Sequence, residues 1–599
     1  MFRRHLAGWA LAVFTVVTLS GTLSRAAEVL LRAPGATRAL AEDLRASSLS
    51  VQASGKNDIS AQDVLAAAQA DYGRLTGVLY AAGYYGGVIS IRVDGREAAT
   101  IPPLSSPRRI DRIDVTVEPG PAFRFSQARI APLASGTRMP EGFRRGGVAR
   151  GDLIRDAAQA GIDGWRDVGH AKAGIARQNI IADHRTSDLL VDVGIAPGPR
   201  LTFGNLLIAQ PGRVRPDRIR EIAGLPSGEV YSPEKVDKSA QRLRRTGAFR
   251  SVALEENEAI GPGDTLDVTA QLTDAKRRRI GFGAEISSLE GLTLSGFWLH
   301  RNLLGGAERL RVDVEVGGIG GNSGGEDYKL STRFERPATL TPDTSLYLTA
   351  VAEELDEPDY RERSFRLGAG LSHIFSDTLT GEIGLAYRYS EIDDDLGSRS
   401  IGQVVFPTRL TWNKRDNALD ATRGVFVDIQ ADPFFALDSN ASGARLFTDL
   451  RAYRSFGASK GLTFATRAQI GTVAGASTTE FPPALLFFSG GANTVRGQPY
   501  QSLGIDIGGG RRIGGRSFMA FSAEMRAEVS EKFEIVTFAD TGFVGEDALG
   551  RGTGRWHSGA GLGGRYATPL GPIRVDVATP LDSGAGSEFE LYIGIGQAF

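Results

Sequence analysis

The chain contains 599 residues with a formal net charge of −1, so its bulk electrostatics favour no nucleic-acid partner. It has no cysteine, which excludes disulfide frameworks, cysteine-based zinc clusters and thiol catalysis. Its six histidines follow no metal-ligand spacing, so we expect neither a metal site nor a cofactor.

The first 26 residues resemble an export signal. Arg3 and Arg4 precede an apolar stretch from Leu6 to Leu19, and small residues then lead to a cleavage position near Ala26. This pattern is typical of a secretory signal peptide, so we place one at residues 1–26. The alternative is an N-terminal membrane anchor, although the apolar stretch is short for a membrane span.

A strand-and-turn pattern repeats in the first half of the sequence. Ile113–Val117 runs into Pro119-Gly120-Pro121, and Val191–Ile195 runs into Pro197-Gly198-Pro199 at an offset of 78 positions. Helical patterns that end at a glycine lie before and between these strands. The repeat predicts α+β units with the order β-α-α-β-β. We place three such units at residues 27–120, 121–198 and 199–275.

From about residue 276 to Phe599 the helical pattern gives way to alternation. Leu310, Val312 and Val314, for example, alternate with charged neighbours, and about sixteen segments behave in this way. Such strands need one apolar and one polar surrounding. Short and long connections also interleave. The pattern predicts a transmembrane β-barrel of sixteen antiparallel strands over residues 276–599, with its short turns in the periplasm. The alternative, a soluble β-rich domain, leaves strand edges exposed.

Four motifs follow one another late in the chain. The longest predicted loop contains Val495-Arg496-Gly497, and later strands carry F-x-D-x-G and G-x-G-x-R. The printed sequence then finishes with G-I-G-Q-A-F over residues 594–599. Together and in this order, the motifs resemble the BamA/TamA superfamily of outer-membrane assembly proteins, whose repeated periplasmic units are called POTRA domains. Three units before a sixteen-stranded barrel look closest to the TamA branch. Gln498 and Gln597 depart from the family pattern.

The resemblance implies a luminal site. Val495, Arg496 and Gly497 would fold back into the barrel lumen, where the Arg496 guanidinium would form a forked contact with the Asp540 carboxylate on the wall. The alternative is an ordinary surface arginine in a mobile loop. The wall residues implied by the family motifs are Phe538, Asp540, Gly542, Gly561, Gly563 and Arg565.

The ends of the barrel suggest a weak seam. Gly281 and Gly283 lie in the first predicted strand, and Gly594, Gly596 and Phe599 lie in or beside the last one. Glycine inside a strand weakens pairing, so the first–last junction could open sideways and a client strand could pair with the freed edge. The alternative is that the glycines only relieve crowding at a bend of the barrel.

The resemblance also implies a function and partners. We expect a bacterial outer-membrane factor, with POTRA domains in the periplasm, that promotes insertion or secretion of autotransporters and other outer-membrane proteins. Its expected partners are unfolded client proteins, outer-membrane lipid and an inner-membrane-anchored TamB-like protein bound through the first unit. The basic run Lys276–Arg279 would touch lipid phosphates or form a solvated turn.

An enzyme is not expected. Gly321–Gly325 matches G-x-S-x-G, but no helix follows to form a nucleophile elbow. Gly559–Gly564 matches G-x-G-x-x-G, yet continues into another predicted strand. The competing hypotheses are a passive porin-type channel, a two-partner-secretion transporter with typically two POTRA units, BamA with typically five, and a role in lipid transport to the outer membrane.

Overall fold

The structure is a computed structural model. It describes residues 27–54, 59–102, 107, 109–287, 291–321, 324–457, 461–569, 571–582, 589–595, 597 and 599. The predicted signal peptide and Gly596 therefore lie outside the described residues. The chain separates into two compact units, one comprising residues 1–202 with 229–233 and the other residues 203–228 with 234–599. None of the described helices is both long and apolar enough to cross a membrane.

The first compact unit begins with a four-stranded sheet of order β1-β4-β2-β3, in which β1 is parallel to β4. Alternating residues of β4, Ile113, Val115 and Val117, are buried against the apolar face of helix α3. Ser60 caps the N-terminus of helix α3, and its hydroxyl accepts a hydrogen bond from the Asp63 amide. The elements are β1 (Glu28–Arg32), α1 (Arg38–Ser47), α2 (Leu49–Ser54), α3 (Ala61–Ala81), β2 (Val88–Val93), β3 (Arg96–Glu97) and β4 (Arg112–Glu118).

A second sheet of order β5-β7-β6 follows in the same compact unit. Its elements are β5 (Arg124–Ala131), α4 (Gly151–Asp167), β6 (Gly174–Asp183) and β7 (Asp188–Ala196). The sequence pattern predicts two helices per unit, but residues 132–150 contain turns and no helix. Prolines and glycines recur through this segment and disfavour a helix, so α4 alone covers the sheet.

The second compact unit contains the third sheet, of order β8-β10-β9, and the barrel. Helix α5 starts with Pro216 and is capped at its C-terminus by Gly224, whose φ of 55° is the left-handed conformation that favours glycine. Leu266, Val268 and Ala270 of β10 are fully buried. The elements are β8 (Thr202–Ile208), α5 (Pro216–Ala223), α6 (Pro233–Arg245), β9 (Phe249–Glu256) and β10 (Thr265–Asp274).

The predicted sixteen-stranded antiparallel barrel is confirmed, with α+β units before it. Within the part of the chain that the structure describes, seventeen strand segments close into a ring of sixteen positions, because β18 and β19 both pair with β17 and β20. The break falls at Phe406-Pro407, where proline has no amide hydrogen to donate. In chain order the strands are β11 (Arg278–Ser287), β12 (Gly291–Arg301), β13 (Arg309–Ile319), β14 (Asp327–Arg336), β15 (Thr344–Glu357), β16 (Tyr360–Ser376), β17 (Leu379–Asp394), β18 (Gly397–Val405), β19 (Thr408–Asn413), β20 (Gly424–Ala436), β21 (Ser442–Phe456), β22 (Leu462–Ala474), the loop hairpin β23 (Ile505–Gly508) and β24 (Arg511–Ile513), β25 (Ser517–Ser530), β26 (Phe533–Gly545), β27 (Gly554–Tyr566), β28 (Ile573–Pro580) and β29 (Glu590–Ile595).

The two faces of the barrel wall differ as the alternation predicts. Leu348, Leu367 and Leu385 project from neighbouring strands and are exposed on the outer face. On the opposite face of the same wall, the buried Glu362 and Arg388 form an ion pair of 2.7 Å. An apolar outer face and a polar inner face are the arrangement of a barrel surrounded by lipid.

The first and last barrel strands meet along a short seam. Strand β11 pairs with β12 at ten positions, from Arg278 to Ser287. Among the described residues it pairs with β29 only through Ile286 with Ile593 and Ser287 with Tyr592. Within the described residues, which omit 288–290, the seam therefore has fewer paired positions than the junctions between the other long strands.

Candidate functional site

The loop between β22 and β25, residues 475–516, carries the V-R-G motif. Its two flanks are joined by backbone hydrogen bonds between Ser489 and Leu503 and between Phe487 and Gly515. Phe487 stacks on Phe518 of the barrel wall, with ring centroids 5.5 Å apart. These contacts place the tip of the loop inside the barrel, where Val495 is fully buried and Arg496 is 2% exposed.

Arg496 lies among three wall carboxylates. Its Nε and Nη2 donate to Asp540 Oδ2 and Oδ1 at 2.8 and 3.0 Å, and its backbone amide donates to Asp540 Oδ2 at 3.1 Å. Its Nη1 donates to Glu524 Oε1 at 2.7 Å and lies 3.4 Å from Asp576 Oδ2. The guanidinium carbon also stands 3.6 Å from the centre of the Phe538 ring. Such forked, charge-assisted bonds fix both the position and the orientation of the guanidinium.

Strand register explains how these groups meet. Glu524 pairs across the sheet with Phe538, which pairs with Gly561, so β25, β26 and β27 present them in one row on the luminal face. A Cβ atom at Gly561 would lie 2.5 Å from Phe538 Cζ, and a Cβ atom at Gly563 would overlap Asp576 Oδ1. The two wall glycines therefore leave room for the aromatic ring and the carboxylate.

Two further glycines of the motifs allow the loop backbone to approach the wall. Gly497 has a φ of 88°, its amide donates to the Tyr592 hydroxyl at 3.1 Å, and a Cβ atom there would lie 2.6 Å from the Thr579 carbonyl oxygen. At Gly542 a Cβ atom would lie 2.8 Å from Val495 Cγ2. A larger residue at either position would push the loop away from the wall.

A second pair of arginines extends the cluster. Arg526 donates to Glu524 Oε2 at 2.8 and 2.9 Å, and Arg565 forms an ion pair with Asp576. Arg526 and Arg565 are each 1% exposed. We call these six charged side chains the luminal network; its members are Arg496, Glu524, Arg526, Asp540, Arg565 and Asp576. Its three positive and three negative charges balance, as buried charges require.

Sequence reasoning did not single out Glu524, Arg526 or Asp576. The available signal was weak, because charged residues at alternate positions face the lumen along many of these strands. In the described part of the chain no group of acidic or histidine side chains is arranged to hold a metal ion. The carboxylates of the luminal network instead accept hydrogen bonds from arginine.

The seam residues do not all lie at the seam. A Cβ atom at Gly281 would overlap the Phe297 ring, one at Gly283 would lie 2.6 Å from Ser295 Oγ, and one at Gly594 would lie 3.2 Å from Glu285. Phe599, grouped with the seam by the sequence motif, lies elsewhere: it is 8% exposed and belongs to a buried cluster with Ala421, Tyr453 and Ala465.

These features define a class of protein: a closed antiparallel membrane barrel whose longest loop is anchored in the lumen, preceded by small α+β units. Residues 302–599 match the Omp85 superfamily domain, and the barrel of this chain belongs to that superfamily.

Comparison with known proteins agrees with this assignment. A SAM50-like protein of Schizosaccharomyces pombe is 24% identical over 354 residues, which is 54% of this chain and 72% of that protein. The outer membrane protein assembly factor BamA of Neorickettsia risticii is 25% identical over 410 residues, 63% of this chain, and the match spans only 52% of that protein. The crystal structure of BamA from Haemophilus ducreyi lacking POTRA domains 1–3 has a TM-score of 0.62 at 16% identity, covering 79% of this chain and 100% of that chain. The last similarity concerns the fold.

Proposed function

We propose that this chain is a TamA-like assembly factor of the bacterial outer membrane. Its α+β units are POTRA domains in the periplasm, and its barrel promotes insertion or secretion of autotransporters and other outer-membrane proteins. Support comes from the superfamily of the barrel and from a relative named as an assembly factor. Three α+β sheets lie before the barrel in the described residues, as the proposed TamA-like architecture requires.

The short seam is the observation that carries the proposal. Strand β11 is ten residues long, yet only Ile286 and Ser287 pair with β29 among the described residues. Among the described residues, the edge from Arg278 to Glu285 consequently forms no ladder with β29. Backbone amides and carbonyls along such an edge can pair with an incoming strand, which is β-augmentation. An unfolded client would add its strand there and pass sideways into the lipid.

The luminal network has a supporting role in this mechanism. Arg496 joins the loop to β25, β26 and β28 at once, through Glu524, Asp540 and Asp576. These strands form the wall that leads to β29. Holding them together would restrict opening to the junction between β29 and β11, where pairing is shortest.

Partners follow from exposed edges and surfaces. An inner-membrane-anchored TamB-like protein would bind through the first POTRA domain, where β1 is an edge strand. In the second domain β6 is a ten-residue edge strand, and its Ile175 and Ile181 are 49% and 53% exposed. Clients would use these edges before they reach the barrel. Lipid is the third partner, because Lys276–Arg279 are exposed where the chain enters the barrel.

A disulfide across the seam tests the function. Because the chain has no cysteine, Ile286→Cys with Ile593→Cys creates one defined pair. We expect oxidation to abolish client assembly and reduction to restore it. The matched control is Leu330→Cys with Ala352→Cys, a register pair of β14 and β15 away from the seam. Undiminished assembly with the seam locked would refute the proposal. Deletion of the gene, followed by comparison of outer-membrane proteins and lipids, separates protein assembly from lipid transport.

A further inference from the structure

A run of four basic residues leads into the first barrel strand. Lys276 and Arg277 precede β11, and Arg278 and Arg279 are the first two residues of that strand. All four are exposed. The run is fixed to the barrel, because the Arg301 amide donates to the Arg277 carbonyl at 2.7 Å and Arg301 Nη1 donates to the Lys276 carbonyl at 3.2 Å. It is therefore a surface of fixed geometry and differs from a freely solvated turn.

Strand alternation divides the run between the two faces of the barrel wall. Ile280 projects outward and is 62% exposed, so Arg278, two positions earlier on β11, also projects outward. Arg279 faces the lumen, where its guanidinium carbon lies 5.7 Å from the centre of the Phe297 ring. On the outer face Trp298 pairs with Ile280, one row further into the membrane than Arg278. An outward arginine next to an outward tryptophan is typical of the boundary between lipid headgroups and hydrocarbon.

The cations of this run lack a compensating charge in the protein. Within the described residues no ion pair joins Lys276, Arg277 or Arg278 to a carboxylate. The nearest acid before the run, Asp274, pairs with Arg213 at 3.1 Å. The next acid along β11, Glu285, pairs with Arg574 at 2.9 Å. Three uncompensated cations at the edge of a low-dielectric medium are stabilised by an anion from outside the chain.

We propose that Lys276, Arg277 and Arg278 form a headgroup site for an anionic phospholipid, with Trp298 at the level where the acyl chains begin. Guanidinium groups bind a phosphate through forked, charge-assisted hydrogen bonds, and a headgroup with net negative charge compensates more of this run than a zwitterionic one does. The bound lipid holds the start of the first strand at the membrane surface. The periplasmic leaflet as its source rests on the proposed function, whereas the site itself depends only on the barrel.

Quenching of a single fluorophore by labelled lipid measures the headgroup site without any client. Because the chain has no cysteine, Ile280→Cys provides one outward attachment point beside Arg278. The full chain is reconstituted in phosphatidylcholine vesicles that contain a small fraction of doxyl-labelled lipid, either phosphatidylglycerol or phosphatidylcholine. We expect quenching by the anionic lipid to exceed quenching by the zwitterionic lipid on the order of five-fold, because basic residues near the surface attract anionic headgroups.

Removing the positive charges should abolish this preference. Lys276→Gln with Arg277→Gln and Arg278→Gln should make quenching by the two lipids equal. Arg278→Gln alone should give an intermediate ratio, and it keeps the test informative if the triple variant does not fold. Arg278→Lys should retain more of the preference than Arg278→Gln, because lysine keeps the charge although it cannot form the forked contact.

The matched control removes three cations from the turn between β19 and β20, at the same end of the barrel. Lys414→Gln with Arg415→Gln and Arg423→Gln should leave the quenching ratio unchanged. Equal quenching by both lipids in the parent, or the same preference in the parent and the triple variant of the headgroup site, would overturn the proposal. Loss of the preference on addition of inorganic phosphate would also overturn it, because the ligand would then be free phosphate. A preference that behaves as expected, beside a locked seam that still assembles clients, would refute only the proposed function.

Discussion

Arg242 of helix α6 and Asp343 of the turn between β14 and β15 form an ion pair, with Nη2 2.6 Å from Oδ2. Arg245 reaches the same carboxylate at 2.9 Å. Arg218 of helix α5 donates to the Pro337 carbonyl at the start of that turn. The helices of the third α+β unit are thus held against a barrel turn by hydrogen bonds at both ends of that turn.

This attachment should weaken in acid. Burial alone would raise the pKa of Asp343, but the hydrogen bonds and charges of Arg242 and Arg245 outweigh it and lower the pKa. A depressed carboxyl pKa stabilises the contact fully above the unfolded value of about 3.9, and this stabilisation is lost as the pH falls through the lower folded value. Spin labels at Asp237→Cys and Asp377→Cys should show a broader distance distribution below that pH.

Asp343→Asn should produce the same broadening at pH 7, because the amide carries no charge. Asp217→Asn is the control, since Asp217 pairs with Arg220 in an exposed contact within the third domain. Exposed ion pairs contribute about 0–1 kcal/mol to stability, so Asp217→Asn should leave the distances between the two spin labels unchanged. A spin-label distance distribution that changes neither with pH nor with Asp343→Asn would show that Asp343 does not hold the helices against the barrel turn.

Arg496 should be essential for barrel stability. Arg496→Ala leaves three buried carboxylates short of a cation, and removal of one partner of a buried pair costs about 3–5 kcal/mol. Arg496→Lys should reduce the stability of the barrel less than Arg496→Ala does, because lysine keeps the positive charge although it cannot form the forked contact. The measurement is urea unfolding of the barrel in detergent, with the exposed Arg454→Ala as control. Export of the variant should be unaffected, and an unfolding midpoint equal to that of the parent would show that the arginine is dispensable.

Two adjacent glycines offer a sharper comparison. A Cβ atom at Gly563 would overlap Asp576, whereas one at Gly564 would stand 3.6 Å from the Phe533 ring. Gly563→Ala should destabilise the barrel by about 1–3 kcal/mol, as overpacking does, whereas Gly564→Ala should stay within about 0.5 kcal/mol. The same unfolding assay measures both. Equal effects would mean that the space beside Asp576 is not needed.

The barrel could be predicted because one face of its wall contacts lipid and the other contacts water. Apolar and polar residues therefore alternate along each strand, and this alternation is visible in the sequence of a single strand. Its interruption at Phe406-Pro407 was not predicted, since one proline in an alternating segment is compatible with a turn as well as with a broken strand. The second α+β unit lacks one of its expected helices for a similar reason, because that helix would fall in a segment rich in proline and glycine.

The luminal site could be predicted only in part. Motifs singled out Arg496 and Asp540, which are in contact. Glu524 and Asp576 resemble many other inward-facing charges, and their place beside Arg496 depends on strand register across the wall. Register is set by the whole sheet and cannot be obtained from one strand. The luminal position of Phe599 has no local signal, because the motif that contains it alternates like a strand.

The first α+β unit contains a buried carboxylate that should control the stability of this unit. Asp71 of helix α3 is fully buried and accepts from Ser48 Oγ at 2.7 Å and from the amides of Leu49 and Ser50 at 2.7 and 3.0 Å. These two amides belong to the first two residues of helix α2. Asp71→Ala leaves the donors unsatisfied and should cost about 2–4 kcal/mol, with Asp71→Asn intermediate.

Hydrogen exchange of the Leu49 and Ser50 amides in the full chain measures this effect locally. Asp63→Ala is the control, because Asp63 lies exposed at the start of the same helix. Asp63→Ala should reduce the hydrogen-exchange protection of the two amides less than Asp71→Ala does. Unchanged protection of the two amides in Asp71→Ala would mean that the carboxylate does not hold α2.

All three carboxylates that hold Arg496 come later in the chain than the arginine itself: Glu524, Asp540 and Asp576 lie on β25, β26 and β28. During synthesis and export the loop is therefore complete before any of its anchors exists. It can take its final place only after the last strands have formed, so its seating marks the completion of the barrel.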